Sequence, residues 1–152
     1  MIKRMTLAGF FGAAAIWSGP CLADGAIAIG DAVRSSGNFS WGASYGEPAD
    51  QAGASALRIC RGQGPEYNGP KAGTTEAQRR CSAVATLKDQ CGAVAWNGKS
   101  NSTKRVTGYG WAIAADSNTA ERQAIAQCET MRAGRGDPCK ISAHSFCDGS
   151  AK

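Results

Sequence analysis

The chain is poor in histidine, in long apolar runs, in strong net charge and in metal-ligand spacing. His144 is its single histidine, so imidazole chemistry has at most one group to work with. Its seven cysteines include no Cys-x-x-Cys pair, which argues against a zinc site and leaves no metal and no cofactor in the expectation. Lys and Arg number 17 against 12 Asp and Glu. That excess is too mild to indicate a nucleic-acid partner. The one sustained apolar run, Leu7 to Trp17, is shorter than the about 20 residues that cross a bilayer, so no transmembrane segment is expected.

What the N-terminus does have is Lys3 and Arg4, then that apolar run, then Gly19 and Pro20. This is the layout of a secretory signal peptide over residues 1–23. Cys21 and Ala23 put small residues at the third and first positions before a cut after Ala23. The expected product, 24–152, is a single domain of about 130 residues in the periplasm or outside the cell, large enough for one core.

Losing Cys21 with the leader leaves Cys60, Cys81, Cys91, Cys128, Cys139 and Cys147. An even set in an exported chain reads as disulfides, with 15 possible connectivities. An internal repeat narrows them. Gly25 to Ala28 reads Gly-Ala-Ile-Ala and returns as Gly-Ala-Val-Ala at Gly92 to Ala95. Ala52, Ala56, Leu57 and Cys60 return at the same spacing as Ala120, Ala124, Ile125 and Cys128. A pseudo-symmetric scheme therefore pairs Cys60 with Cys81, Cys128 with Cys139, and Cys91 with Cys147. The first two clip a loop within one copy, each contributing about 3 kcal/mol by loop entropy. The third is expected to tie the copies together.

The two copies, about 24–91 and 92–152, each read strand, strand, helix, strand. Ala26 to Ile29 and Asn38 to Tyr45 suggest a hairpin, and Glu47 with Pro48 opens an Ala-rich helix to Cys60. Cys81 to Leu87 is a third strand. The pattern repeats as Gly92 to Trp96, Val106 to Ala114, a helix capped by Asn118 with Glu121, and a strand from Cys139 to Phe146. The expected fold is α+β, one antiparallel sheet carrying two helices and stapled by disulfides. Trp41 and Trp111 are read as equivalent, leaving Trp96 and Tyr109 without counterparts.

The doubled Gly-Ala-x-Ala strands, Trp41 and Trp111, the helices ending in Cys60 and Cys128, and the Cys139 to Cys147 ending resemble the bacterial family called domain of unknown function 4189. The resemblance covers nearly all of the chain after the leader. It implies export and a duplicated fold, and it brings no reaction with it. The longer Arg61 to Arg80 connection and the inserted tip from Lys99 to Arg105 depart from the family pattern.

No catalytic set is recognised. A small hydrolase of envelope polymers could use His144 with a nearby acid. Ser142 and Ser145 lie close in sequence, but a triad also needs an oriented carboxylate and an oxyanion hole, and no Gly-x-Ser-x-Gly elbow is read in the chain. The acids sit mostly at turns and helix starts. The unmatched residues are the better candidates for a binding site: Trp96, Lys99, Lys104, Arg105 and Tyr109, on and beside the basic tip, with Arg79 and Arg80 as a second basic cluster. The leading expectation is thus a non-enzymatic binding module for a protein or envelope component, such as an inhibitor, an immunity protein or an adaptor. A hydrolase using His144 and a purely structural envelope component are the alternatives. Oligomeric state is left open.

Overall fold

The computed structural model describes residues 24–63, 71–98, 105–142, 145–149 and 151. Its elements run β1 (Asp24–Ala32), β2 (Asn38–Glu47), α1 (Ala49–Cys60), α2 (Glu76–Arg79), β3 (Ser82–Leu87), β4 (Cys91–Trp96), β5 (Tyr109–Ala114), α3 (Ser117–Arg132), β6 (Lys140–Ile141) and β7 (Phe146–Cys147). They form two antiparallel sheets. The first has the order β2-β1-β3, and the second β5-β4-β6 with β7 also paired to β4.

The single sheet expected from the sequence is therefore two, and the alternation along β1 and β4 explains why. Ala26 and Ala28 face α1, where they pack on Ala52, Ala56 and Cys60. Ala93 and Ala95 likewise face Ala120, Ala124 and Cys128 of α3. The intervening Ile27, Ile29 and Val94 point the other way and join Leu87 and Phe146 in a third cluster. One sheet with helices on one side would leave those large side chains in water. Stacking the sheets face to face buries them, giving the layers α1, first sheet, second sheet, α3.

Each helix lies directly on its sheet. A Cβ on Gly42 of β2 would stand 2.2 Å from the Ala56 carbonyl oxygen and 2.5 Å from the Cys60 nitrogen. On Gly110 of β5 it would stand 2.2 Å from the Ala124 oxygen and 2.6 Å from the Cys128 nitrogen. Beside Gly42, the Ser44 hydroxyl donates to the Ala52 oxygen at 2.7 Å and the Ser40 hydroxyl to the Cys60 oxygen at 2.5 Å. Two strand residues advance about 6.7 Å and four helical residues about 6 Å, so alternate strand positions meet successive helical turns.

This geometry corrects the alignment of the copies. Ala28 opposes Gly42 and Ala95 opposes Gly110, while Ile29 opposes Trp41 and Trp96 opposes Tyr109. Trp41 therefore corresponds to Tyr109, and Trp96 to Ile29. Trp111 opposes Val94, as Ala43 opposes Ile27. The spacing that carries Cys60 onto Cys128 also carries Trp41 onto Tyr109, so Trp41 and Trp111 share a residue type but not a position.

Further differences have local causes. Asp116, rather than Asn118, caps α3, accepting the Thr119 N–H at 2.9 Å. The final strand is broken into β6 and β7. A short helix, α2, stands before β3, with a capping box of Thr75 and Gln78, and lies against Gly30 of β1. Disulfides join Cys60 to Cys81, Cys91 to Cys147 and Cys128 to Cys139. Cys91 is the first residue of β4 and sits opposite Cys147 of β7, so this bridge closes the second sheet on itself instead of tying the copies. The copies are held by the apolar layer between the sheets.

Replacing Gly42 or Gly110 by alanine is expected to cost about 2–3 kcal/mol, because backbone atoms occupy the space a Cβ needs. Gly53 in α1 has nothing within 4 Å of an added Cβ. Gly53→Ala should instead stabilise by about 0.5–1 kcal/mol. Urea denaturation of the three variants checks both signs.

Candidate binding face

Trp96 and Tyr109 are brought together as an opposed cross-strand pair, but they do not form an open platform. Phe39 of β2 crosses from the first sheet, stacking on Tyr109 with ring centroids 4.5 Å apart and meeting Trp96 at 5.7 Å. Both residues are half-buried. Such ring contacts add about 0.5–1.5 kcal/mol beyond area burial. Tyr109 is also hydrogen-bonded to Asp31, whose carboxylate accepts the Val33 N–H at 2.9 Å. Burial, reinforced by the Asp31 charge and that bond and opposed by Arg34, pushes the Tyr109 phenol up to about 12. The aromatic pair is a seam between the sheets.

Of the expected basic residues, Lys99 and Lys104 lie outside the described residues, as does His144. Arg105 is exposed, and its side chain runs over Gly37, which has a φ of 71°. An added Cβ on Gly37 would meet the Arg105 Nε at 2.6 Å. Arg105 Nη2 donates to the Ser35 oxygen at 3.5 Å, and the Val106 N–H to the Gly37 oxygen at 2.9 Å. The turn 33–37 between β1 and β2 is thus docked against the chain that enters β5.

The same turn reaches α2. The Ser35 hydroxyl donates to Glu76 Oε2 at 2.9 Å, and Glu76 pairs with Arg80 at 2.5 Å. Hydrogen bonds from Ser35 and Ser36, then the charges of Arg80 and Arg79, hold the Glu76 carboxyl below its usual range. Arg79 Nη1 donates to the Gly73 and Thr74 oxygens at 3.3 and 3.2 Å. Arg105 and the Arg79–Arg80 pair therefore meet through Ser35. Arg34, exposed in the turn itself, was missed. Its signal was present in the hairpin turn, but only the fold shows that this turn stands between Arg105 and Arg80. Exposed Arg34, Arg79, Arg80 and Arg105 make a rim in which Glu76 compensates one charge.

Contrary to the expectation of no such motif, Gly42, Ala43, Ser44, Tyr45 and Gly46 spell the Gly-x-Ser-x-Gly of a hydrolase elbow. Ser44 is nevertheless buried within β2, with its hydroxyl committed to the Ala52 oxygen. It is not the exposed nucleophile on a sharp turn that the motif requires. Among the described residues no group of three or more His, Cys, Asp and Glu is arranged to hold a metal ion.

The family model for "Domain of unknown function (DUF4189)" matches residues 25–147, from the second residue of β1 to the last of β7. The chain belongs to this family. No curated protein and no solved structure matches it. The description of the DUF4189 family names no reaction, and the chemistry of the chain is read from its own side chains. Three disulfides suit an oxidising compartment. No helix among the described residues is long and apolar enough to cross a membrane.

The raised phenol gives a pH prediction. A folded value of about 12 lies above the unfolded value of about 10, so the stabilising contribution is complete below pH 10 and declines as pH rises from 10 through 12. Stability measured against pH should fall over that window in the parent. The fall should be shallower in Tyr109→Phe, which has no phenol to ionise.

Proposed function

We propose that this protein is an exported, non-enzymatic binding module whose contact face is the arginine rim around the turn 33–37. Export rests on the signal-peptide layout of residues 1–23 and on a disulfide-stapled fold. The observation that carries the reading is the convergence of Arg34, Arg79, Arg80 and Arg105 from three separate stretches of chain onto one turn. The partner it fits is an anionic envelope component. Guanidinium groups recognise carboxylates and phosphates by paired hydrogen bonds as well as charge. The turn is held on both sides by hydrogen bonds, so little ordering has to accompany binding.

This reading assigns the aromatic pair to the scaffold and the cations to recognition. His144, on which the hydrolase alternative depends, stands outside the described residues. Nothing further recommends that alternative.

Charge reversal tests the rim. Arg34→Glu with Arg105→Glu should weaken binding to vesicles containing anionic lipid, or to an anionic wall polysaccharide, by about tenfold or more, with the melting temperature preserved. Raising the salt from about 0.05 to 0.5 M should weaken the parent more than the variant. Unchanged binding in the double variant would dispose of the rim as the contact face.

A further inference from the structure

The edges of the two sheets are not equally protected. An uncovered edge strand offers a row of backbone donors and acceptors to another chain, and folds blunt it with short strands, bulges or side chains. β6 and β7 are only two residues each. β3 carries a bulge at Val84, where its register with β1 shifts between Ala85 and Ala83. At β5 a side chain does the work. The Val94 oxygen of β4 accepts the Ser142 N–H, so the backbone groups of Val94 point away from β5 and those of its opposite, Trp111, point out of the sheet. There the Trp111 N–H is met by Gln127 of α3, whose Oε1 accepts it at 2.7 Å.

The remaining edge, β2, has no such device. In the first copy Ile27 stands for Val94 and Ala43 for Trp111. The N–H and C=O of Ala43, and of Trp41 and Phe39 at alternate positions, therefore face outward. Gln127 is replaced by Ile59. An added Cβ on Gly110 would stand 2.9 Å from the Gln127 Cβ, and one on Gly42 would stand 2.9 Å from the Ile59 Cβ. Isoleucine has no oxygen to accept the outward N–H. From Asn38 to Gly46 the strand has neither charge nor proline, and its register with β1 is unbroken from Asn38 to Ser44. Glu47, which the sequence reading placed at the start of α1, ends it. Among the described residues no group outside the sheet is hydrogen-bonded to the backbone of Phe39, Trp41 or Ala43.

We propose that β2 is a dimerisation strand, along which two copies of the chain pair antiparallel with Trp41 at the two-fold axis. The unbroken run from Asn38 to Ser44 is centred on Trp41, so this register uses all of it. Phe39 of one copy opposes Ala43 of the other, and the two Trp41 residues oppose each other. Each such pair exchanges both N–H···O bonds, about six in all. The tryptophans make an aromatic cross-strand pair, while on the helix side Ser40 meets only Gly42. α1 lies over both β1 and β2, packed on Ala26 and Ala28 and touching Gly42. With strands about 4.8 Å apart, the two α1 helices come about 10 Å from each other, the spacing at which helices pack. Ile59 faces that joint. A foreign strand fits less well, because strand addition takes its specificity from pockets or charges, and this edge carries no charge. A second copy fits it by symmetry, and the contact closes on itself.

Sedimentation velocity of the purified protein tests this. Between about 1 and 200 µM the parent should pass from monomer to dimer mass, as suits a joint of one strand and one helix from each copy. Ile59→Gln copies the cap of the second unit, and it should weaken the dimer by about tenfold or more with the melting temperature preserved. Amide exchange by NMR locates the contact in the parent itself. The Trp41 and Ala43 amides should exchange about tenfold or more slowly at the highest concentration than at the lowest, with Trp111 unchanged. A chain that stays monomeric at about 200 µM would overturn the proposal. So would a dimer that leaves these two amides exchanging freely, or one that Ile59→Gln does not weaken. Protection of the two amides in a monomer would assign the edge to another segment of the same chain and overturn it as well.

Discussion

The contact between each helix and the glycine backbone beneath it is what the rest of the molecule depends on. Gly42 and Gly110 let α1 and α3 settle onto their sheets at backbone distance, where an added methyl group would collide with a carbonyl oxygen. The face under each helix can then hold only Gly, Ala, Ser and Cys. The large apolar residues of β1, β2, β4 and β5 are pushed to the opposite face, and that face needs a cover. The second copy of the unit is the cover. Duplication is therefore a solution to a packing problem, since neither three-layer arrangement nor isolated copy would bury Ile27, Ile29, Val94 and Phe146.

This constraint also sorts the residues by role. Trp96 and Tyr109 lie on the large-residue faces, so their rings belong to the joint with Phe39. What remains for recognition is the rim where hairpin turns and α2 come together. There the exposed groups are mostly guanidinium, and the backbone that carries them is fixed by hydrogen bonds to neighbouring elements. The disulfides act at a different level. Cys60–Cys81 and Cys128–Cys139 fasten each helix end to the strand that follows, while Cys91–Cys147 holds the short β7 against β4.

Much of this was legible in the sequence because it is local or periodic. The helices, the two-residue alternation of the opening strands, the repeat and the family membership all follow from spacing along the chain. The number of sheets was not legible, because two stacked sheets and one continuous sheet share the same strand patterns and differ only in which strands pair. The equivalence of Trp41 with Tyr109 was hidden by the coincidence of a second tryptophan, Trp111, two residues further on, and the register of opposed residues resolves it. The setting of Arg34 was invisible for a related reason. Arg79, Arg80 and Arg105 come to its turn from distant stretches of chain, and only the fold gathers them.

The aromatic seam is the decisive contact, because a molecule without it would have a single sheet, exposed rings and a different candidate site. NMR cross-relaxation between assigned ring protons measures it directly. Strong cross-peaks from Phe39 to both Tyr109 and Trp96 are expected, given centroids 4.5 and 5.7 Å apart. Absence of both, with the Trp96 ring fully open to a soluble quencher, would contradict the face-to-face sheets and the division of roles built on them.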